Sequence, residues 1–292
     1  MKIALVTDST SVLTEKEVKD NNVIVAPIPI IIGDKEYLEG VNITSAELFE
    51  TQKQGAAFPK TSQPSMGEML ALFNKLHEEG YEAIITITLS SGISGFYNTL
   101  ENMARNYPEY GLYPYDSKMT VRLQGYLVLA AAKMIKNGLE PQEIIAKLDS
   151  IRSTIDELFV VDDLKNLSRG GRLSNASAFI GTMLHIKPLL TFNEEGKIIA
   201  FDKIRSLKRA VSKVENIALE RTNKLDYKDK LRFFVFHSND EKQAEGIKEF
   251  IEDNFPGKPI DVAEFSPVIA THLGEKSIAI AWMIDIDKID LG

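Results

Sequence analysis

Thr86-Ile87-Thr88-Leu89-Ser90-Ser91-Gly92-Ile93-Ser94-Gly95-Phe96-Tyr97-Asn98 reads as the end of a buried strand, a turn dense in glycine and serine, and the start of a helix. The first N–H groups of a helix have no intrahelical partner, and the helix dipole turns its positive end toward them. A carboxylate or phosphate is welcome at such a turn, and the hydroxyls of Ser90, Ser91 and Ser94 are further donors. The plainer reading is that Ser90 or Ser91 caps the helix while Gly92 and Gly95 allow close packing. What surrounds the stretch decides between the two.

Upstream, residues 2–6 form an apolar strand ended by Thr7-Asp8-Ser9-Thr10, and a helix over 14–21 opens on the capping-box pair Thr14 and Glu17. Residues 23–32 give one or two short strands, with Pro27 and Pro29 putting part of the run at an edge. Residues 36–37 read as extended, 45–52 as a helix, 58–65 as a loop, and Ser65 with Glu68 opens a helix to about Glu79. Downstream come a helix to about Asn106, a strand over 112–115, and helices near 122–136 and 141–154. This alternation predicts a mostly parallel, doubly wound α/β sheet over residues 1–155.

After residue 155 the rhythm changes. Residues 158–161 read as a strand, Asp162-Asp163 stand where they would cap a helix, and Ser168-Arg169-Gly170-Gly171-Arg172 reads as a turn. A helix is expected over 175–183, and Asn193-Glu194-Glu195-Gly196 joins strands 186–192 and 197–204 as an antiparallel hairpin. Helices over 206–222 and 240–252 and strands over 231–236, 259–264 and 276–285 complete a mixed α+β sheet domain over 156–292.

A chain of 292 residues is long enough for two domains, each with its own core, and 44% hydrophobic with 26% charged residues places it among globular proteins. A net charge of −8 argues against a nucleic-acid partner, which needs a basic face. The absence of cysteine excludes disulfides, thiolate metal sites and a cysteine nucleophile. Asp8 comes too early for a signal-peptide core, and runs such as 126–135 and 278–284 are too short to cross a bilayer, so a cytoplasmic protein without a membrane segment is expected.

Among the four histidines, His77 lies between charged residues, His185 in an apolar stretch and His237 before a helix cap. His272, which precedes the turn Leu273-Gly274-Glu275 leading to the last strand, is the best functional candidate. No two histidines have ligand spacing on a helix, so no metal and no cofactor are expected. Thr61-Ser62-Gln63-Pro64-Ser65 offers hydroxyls at a helix start, and Arg172 offers a guanidinium fork suited to carboxylate or phosphate. Thr7-Asp8-Ser9-Thr10 lacks the glycine spacing of a nucleotide loop, and its aspartate repels anions; hydrogen-bonding to neighbouring loops is its better reading.

In this order, the motifs resemble the DegV family, fatty-acid-binding proteins that include the FakB component of bacterial fatty acid kinase. The resemblance covers nearly the whole chain. It is carried by Thr7-Asp8-Ser9-Thr10, Lys60-Thr61-Ser62-Gln63-Pro64-Ser65, Leu89-Ser90-Ser91-Gly92-Ile93-Ser94-Gly95, Gly170-Gly171-Arg172-Leu173-Ser174, Ile186-Lys187-Pro188-Leu189-Leu190 and Thr271-His272-Leu273-Gly274. It implies two domains with one long-chain fatty acid, such as palmitate or oleate, buried between them. The carboxylate would be held by Thr61, with Ser62, and by Ser94, with His272 nearby. It further implies a kinase partner that phosphorylates the bound carboxylate for phospholipid synthesis, so the chain itself would be a carrier without turnover. Arg172 matches a glycine-glycine-arginine motif, and Arg205 falls where another basic residue often occurs; both would serve the partner or the phosphate. Tyr113-Pro114-Tyr115 departs from the β-branched residues expected there. Phe96, Phe179, Met183 and Ile280 are candidates for the acyl pocket, or for plain core.

Two other classes are open to the residues alone. A serine hydrolase would use Ser94 as nucleophile and His272 as base, but the nucleophile elbow asks for glycine two residues after the serine, where Phe96 stands. A nucleotide-dependent phosphotransferase would need a P-loop, which is missing.

Overall fold

The computed structural model describes residues 1–162, 164–179 and 186–292. In chain order, β1 (Ile3–Asp8), α1 (Glu15–Asp20), β2 (Val23–Ala26), β3 (Pro29–Ile32), β4 (Lys35–Leu38), α2 (Ser45–Lys53), β5 (Lys60–Thr61) and α3 (Met66–Glu78) come first. They are followed by β6 (Ala83–Thr88), α4 (Phe96–Asn106), β7 (Leu112–Asp116), α5 (Val121–Lys136) and α6 (Pro141–Arg152). The remainder holds β8 (Asp156–Val160), α7 (Lys165–Gly170), β9 (Lys187–Phe192), β10 (Ile198–Ile204) and α8 (Leu207–Asn223). It ends with β11 (Leu231–His237), α9 (Glu241–Asn254), β12 (Ile260–Glu264), α10 (Pro267–Leu273) and β13 (Ile278–Ile284).

The first four-stranded sheet, ordered β2-β1-β6-β7, is parallel throughout. All six β6 residues and five of six in β1 are buried, as helices on both faces of a parallel sheet require. Pro114 fits because β7 is an edge strand, where the missing N–H takes no bond from the ladder. The six-stranded sheet, ordered β10-β9-β8-β13-β11-β12, is mixed, parallel only between β11 and β12. The chain therefore has the two-sheet α/β architecture its periodicities predict. A third, antiparallel sheet, β4-β3-β5, was not expected: the loop over 58–65 contains the two-residue strand β5, which pairs with β3 and fixes Thr61.

Several local expectations need correction. The turn after β6 runs to Gly95, which caps α4 without a side-chain bond, so neither Ser90 nor Ser91 is the cap. Residues 168–170 are the end of α7, and only Gly171 turns, at φ +71°. His272 lies on a short helix, α10, that was not expected ahead of the turn. Of the helix expected over 175–183, a 3-10 turn at Ala176–Phe179 is described; Asp163, Met183 and His185 lie outside the described residues.

The largest apolar cluster joins the sheets, with Leu5, Ile87 and Leu127 on one side and Phe159, Phe234 and Ala281 on the other. A second packs Phe233, Ile251 and Trp282 beneath α8 and α9, and a third packs Val6, Phe73, Ile84 and Phe96 on the far face of the parallel sheet. Each such buried side chain contributes about 1.5–3 kcal/mol against the entropy of ordering it. Phe96 and Ile280 belong to the third and second clusters and are core, not pocket.

Central placement of β1 and β6 sets their following turns side by side at the carboxyl edge. Asp8 ties them together: its buried carboxyl accepts the Leu89 N–H at 2.8 Å and the Thr10 hydroxyl at 2.5 Å, with Gln124 donating at 3.1 Å. Burial pushes this carboxyl upward while the donors pull it back. Thr7-Asp8-Ser9-Thr10 thus bonds to neighbouring loops, as its sequence suggests. The hairpin between β9 and β10 docks on the serine-glycine turn, where Ser90 Oγ donates to the Gly196 carbonyl at 2.7 Å.

A Cβ on Gly92 would lie 2.2 Å from the Gly196 carbonyl oxygen, whereas one on Gly67, in the first turn of α3, meets open space. Gly92→Ala should therefore destabilise the protein by about 1–3 kcal/mol, while Gly67→Ala is neutral or stabilising by roughly 0.5–1 kcal/mol. Urea denaturation of both variants reads the difference.

Candidate functional site

Loops from both sheets meet around a cavity with about 900 Å³ of space not filled by protein atoms, part of it open to solvent. Ile28 and Thr61 come from the small-sheet region, Leu89 and Ser94 from the turn after β6, and Phe159 and Phe192 from the six-stranded sheet. Ser62, Arg172 and His272 also line it, so the cavity gathers all four expected carboxylate-binding residues and one of the two arginines. Arg205 is exposed in the turn between β10 and α8 and does not line the cavity.

Each side chain is held by a local cause. Thr61 is set by β5, and the loop before it is pinned by Arg169, whose guanidinium lies 4.7 Å over the Phe58 ring. Ser94 Oγ accepts the Phe96 N–H at 3.2 Å at the start of α4. Gln63 donates to Thr99 on α4 at 2.8 Å and clips the Thr61 loop to the Ser94 turn. Ser90 and Ser91 are not free donors: Ser90 Oγ serves Gly196, and Ser91 Oγ donates to Asp116 at 2.5 Å. Of the three hydroxyls in the turn, only Ser94 lines the cavity.

His272 stands on α10 with Nε2 at 2.8 Å from Thr61 Oγ1. Its Nδ1 is sealed from solvent with no hydrogen-bond partner among the described residues. A Cβ at Gly170 would lie 2.6 Å from this nitrogen, so the end of α7 closes on the ring only because residue 170 has no side chain. Burial and then the Arg172 charge push the imidazole down to about 4. Arg172 donates Nε–H to the Ile93 carbonyl at 3.1 Å and Nη1–H to the Gly170 carbonyl at 2.5 Å. It thereby ties α7 to the serine-glycine turn.

This arrangement does not support the serine hydrolase. The base faces Thr61 rather than Ser94, and no acid orients its other nitrogen among the described residues, whereas a triad needs both contacts. Nor does any group of three or more His, Asp or Glu among the described residues have the geometry to hold a metal ion. No helix among the described residues is long and apolar enough to cross a membrane.

Two acidic residues escaped the sequence reading. Glu157 lines the cavity from the start of β8, one pleat from Phe159; the signal was the alternation of Glu157 and Phe159 on one strand face. Glu39 follows β4 and carries no local signal at all, because its partners, Ser9 and Val268, are distant in sequence.

Residues 2–285 match the family described as an uncharacterised protein, DegV family. A DegV domain-containing protein of Listeria innocua is 38% identical over 283 residues, spanning 97% of this chain and 99% of that protein. The crystal structure of DegV from Bacillus subtilis, described as a fatty acid binding protein, superposes with a TM-score of 0.87 at 36% identity, covering 98% of this chain and 100% of the other. That of a fatty acid binding DegV family protein from Streptococcus agalactiae gives 0.90 at 35% identity, covering 98% and 99%. With a match over nearly its whole length, the chain belongs to the DegV family.

Proposed function

We propose that the protein binds one long-chain fatty acid between its two sheets and presents the carboxylate to a kinase that converts it to an acyl phosphate for phospholipid synthesis. The observation that carries this reading is the meeting of Thr61, Ser94 and His272 at a cavity otherwise walled by residues such as Phe159, Phe192 and Ile269. The fatty acid binding of the Bacillus subtilis and Streptococcus agalactiae relatives supports the ligand class. Burying about fourteen methylenes at roughly 0.8 kcal/mol each is worth on the order of 11 kcal/mol before the costs of association.

The head group needs donors once it leaves water, and hydrogen bonds to a charged group are worth about 1.5–3 kcal/mol each. With the neutral imidazole protonated on Nε2, His272 donates to Thr61 Oγ1 and leaves the Thr61 hydroxyl proton to donate to the carboxylate. Neutral hydroxyls hold the carboxylate without fixing it in a salt bridge, so it stays available for phosphorylation. The chain is then a carrier in the cytoplasm with no turnover of its own. Arg172 and the exposed Arg205 serve the kinase step.

Solvent extraction of the purified protein should release fatty acid at near one to one by mass spectrometry; no lipid, with no binding of added oleate, overturns the reading. Thr61→Ala and Ser94→Ala should each weaken oleate binding about ten- to hundredfold. Arg172→Ala should reduce acyl-phosphate formation with the kinase more than it reduces oleate binding.

The imidazole gives a separate test. Because its folded pKa is depressed to about 4, the unfolded chain takes up a proton below about 6.5 that the folded one refuses. Stability contributed by neutral His272 is therefore present above that range and lost as pH falls toward 4. Nitrogen-15 NMR of lipid-free protein should find His272 neutral at pH 6, with its midpoint rising once oleate is bound; an ordinary titration near 6.5 would contradict the buried geometry.

A further inference from the structure

Buried polar groups in folded proteins are nearly always satisfied, so an unmet one in a cavity wall asks what meets it. Apart from His272, two such groups among the described residues line this cavity. Glu157 is 3% exposed and its Oε2 has no partner among the described residues. Thr120 is 4% exposed; it stands at the N-cap of α5 yet makes no capping bond, and its Oγ1 has no partner among the described residues either. No cation is bonded to Glu157 among the described residues, and its neighbour Asp156 is engaged by Arg221. Burial, with the Asp156 charge adding, pushes the Glu157 carboxyl up to about 8, so at neutral pH it carries a proton and both donates and accepts.

The register places Glu157 along its strand. Val160 pairs with Ile278, which follows α10 and His272 closely in the chain, while Glu157 lies three residues back along β8, opposite Ala281. That is roughly 10 Å of strand. A chain whose head group sits at Thr61 and Ser94 fills the same cavity that Glu157 and Thr120 line.

We propose that Glu157, with Thr120, is a specificity site for acyl chains that carry a hydroxyl group away from the carboxylate, so that this protein prefers hydroxy fatty acids to unsubstituted ones. The proposal rests on the fatty-acid reading above and names the substrate class of the same cavity. A hydroxyl supplies one donor and one acceptor, which is what a protonated carboxyl and a threonine lack here. A plain alkyl chain strips water from both groups and returns nothing.

The test is calorimetric titration of delipidated protein with ricinoleate and oleate, which differ by one mid-chain hydroxyl, and with stearate and its α-hydroxy derivative. Ricinoleate should bind about tenfold tighter than oleate or better, and α-hydroxystearate no tighter than stearate. Glu157→Leu, which removes a buried acid and keeps the wall filled, should abolish the preference for ricinoleate over oleate; Glu157→Gln should retain part of it. Oleate binding with no gain for ricinoleate, or a preference that survives Glu157→Leu, overturns the proposal and leaves the fatty-acid reading standing. Failure of all four acids to bind overturns both.

Discussion

Glu39, just after β4, accepts the Val268 N–H at 2.7 Å and the Ser9 hydroxyl at 2.5 Å, and the site depends on this clasp. Val268 lies in the first turn of α10, a helix of seven residues that has too few internal bonds to hold itself. A buried acidic group at its N-terminus satisfies an orphan N–H and complements the helix dipole. Ser45 adds a bond to the Phe265 carbonyl at 2.8 Å, and Lys53 pairs with Glu275 at 2.9 Å beyond the other end. Together they seat α10 on the N-terminal sheets and carry His272 to within 2.8 Å of Thr61. Burial pushes Glu39 up to about 7 against the pull of its donors, the cost of placing an acid where the two parts of the chain must meet.

The same economy governs the cavity. Asp8, Ser90, Ser91 and Arg172 lie close to it, and each is committed to holding loops: Asp8 to Leu89, Ser90 to Gly196, Ser91 to Asp116, Arg172 to two carbonyls. What faces the cavity is therefore mostly neutral. Thr61 and Ser94 are short side chains with few rotamers to lose, fixed by β5 and by the start of α4. Preorganised neutral donors suit a carboxylate without surrounding it with positive charge.

Sequence alone revealed elements whose causes are local. The capping boxes at Thr14, Thr44 and Ser65 form as their spacing indicates, and the hairpin at 193–196 pairs β9 with β10 antiparallel. Thr61, Ser94 and His272 were legible because they sit in an ordered set of motifs that resemble one family. Features made by distant partners were not. The three-stranded sheet needs a two-residue strand that no periodicity marks, and the Glu39 clasp joins residues 229 positions apart. Ser90 and Ser91 looked like donors because a sequence shows hydroxyls but not whether a carbonyl or carboxylate has already claimed them.

The central claim is that a fatty-acid carboxylate lands on Thr61 and Ser94. A crystal structure of the palmitate-loaded protein tests it most directly. The account predicts carboxylate oxygens within hydrogen-bond distance of the Thr61 and Ser94 hydroxyls, with the acyl chain running past Phe159 and Phe192. A carboxylate seated elsewhere, or a chain lying outside this cavity, would contradict it.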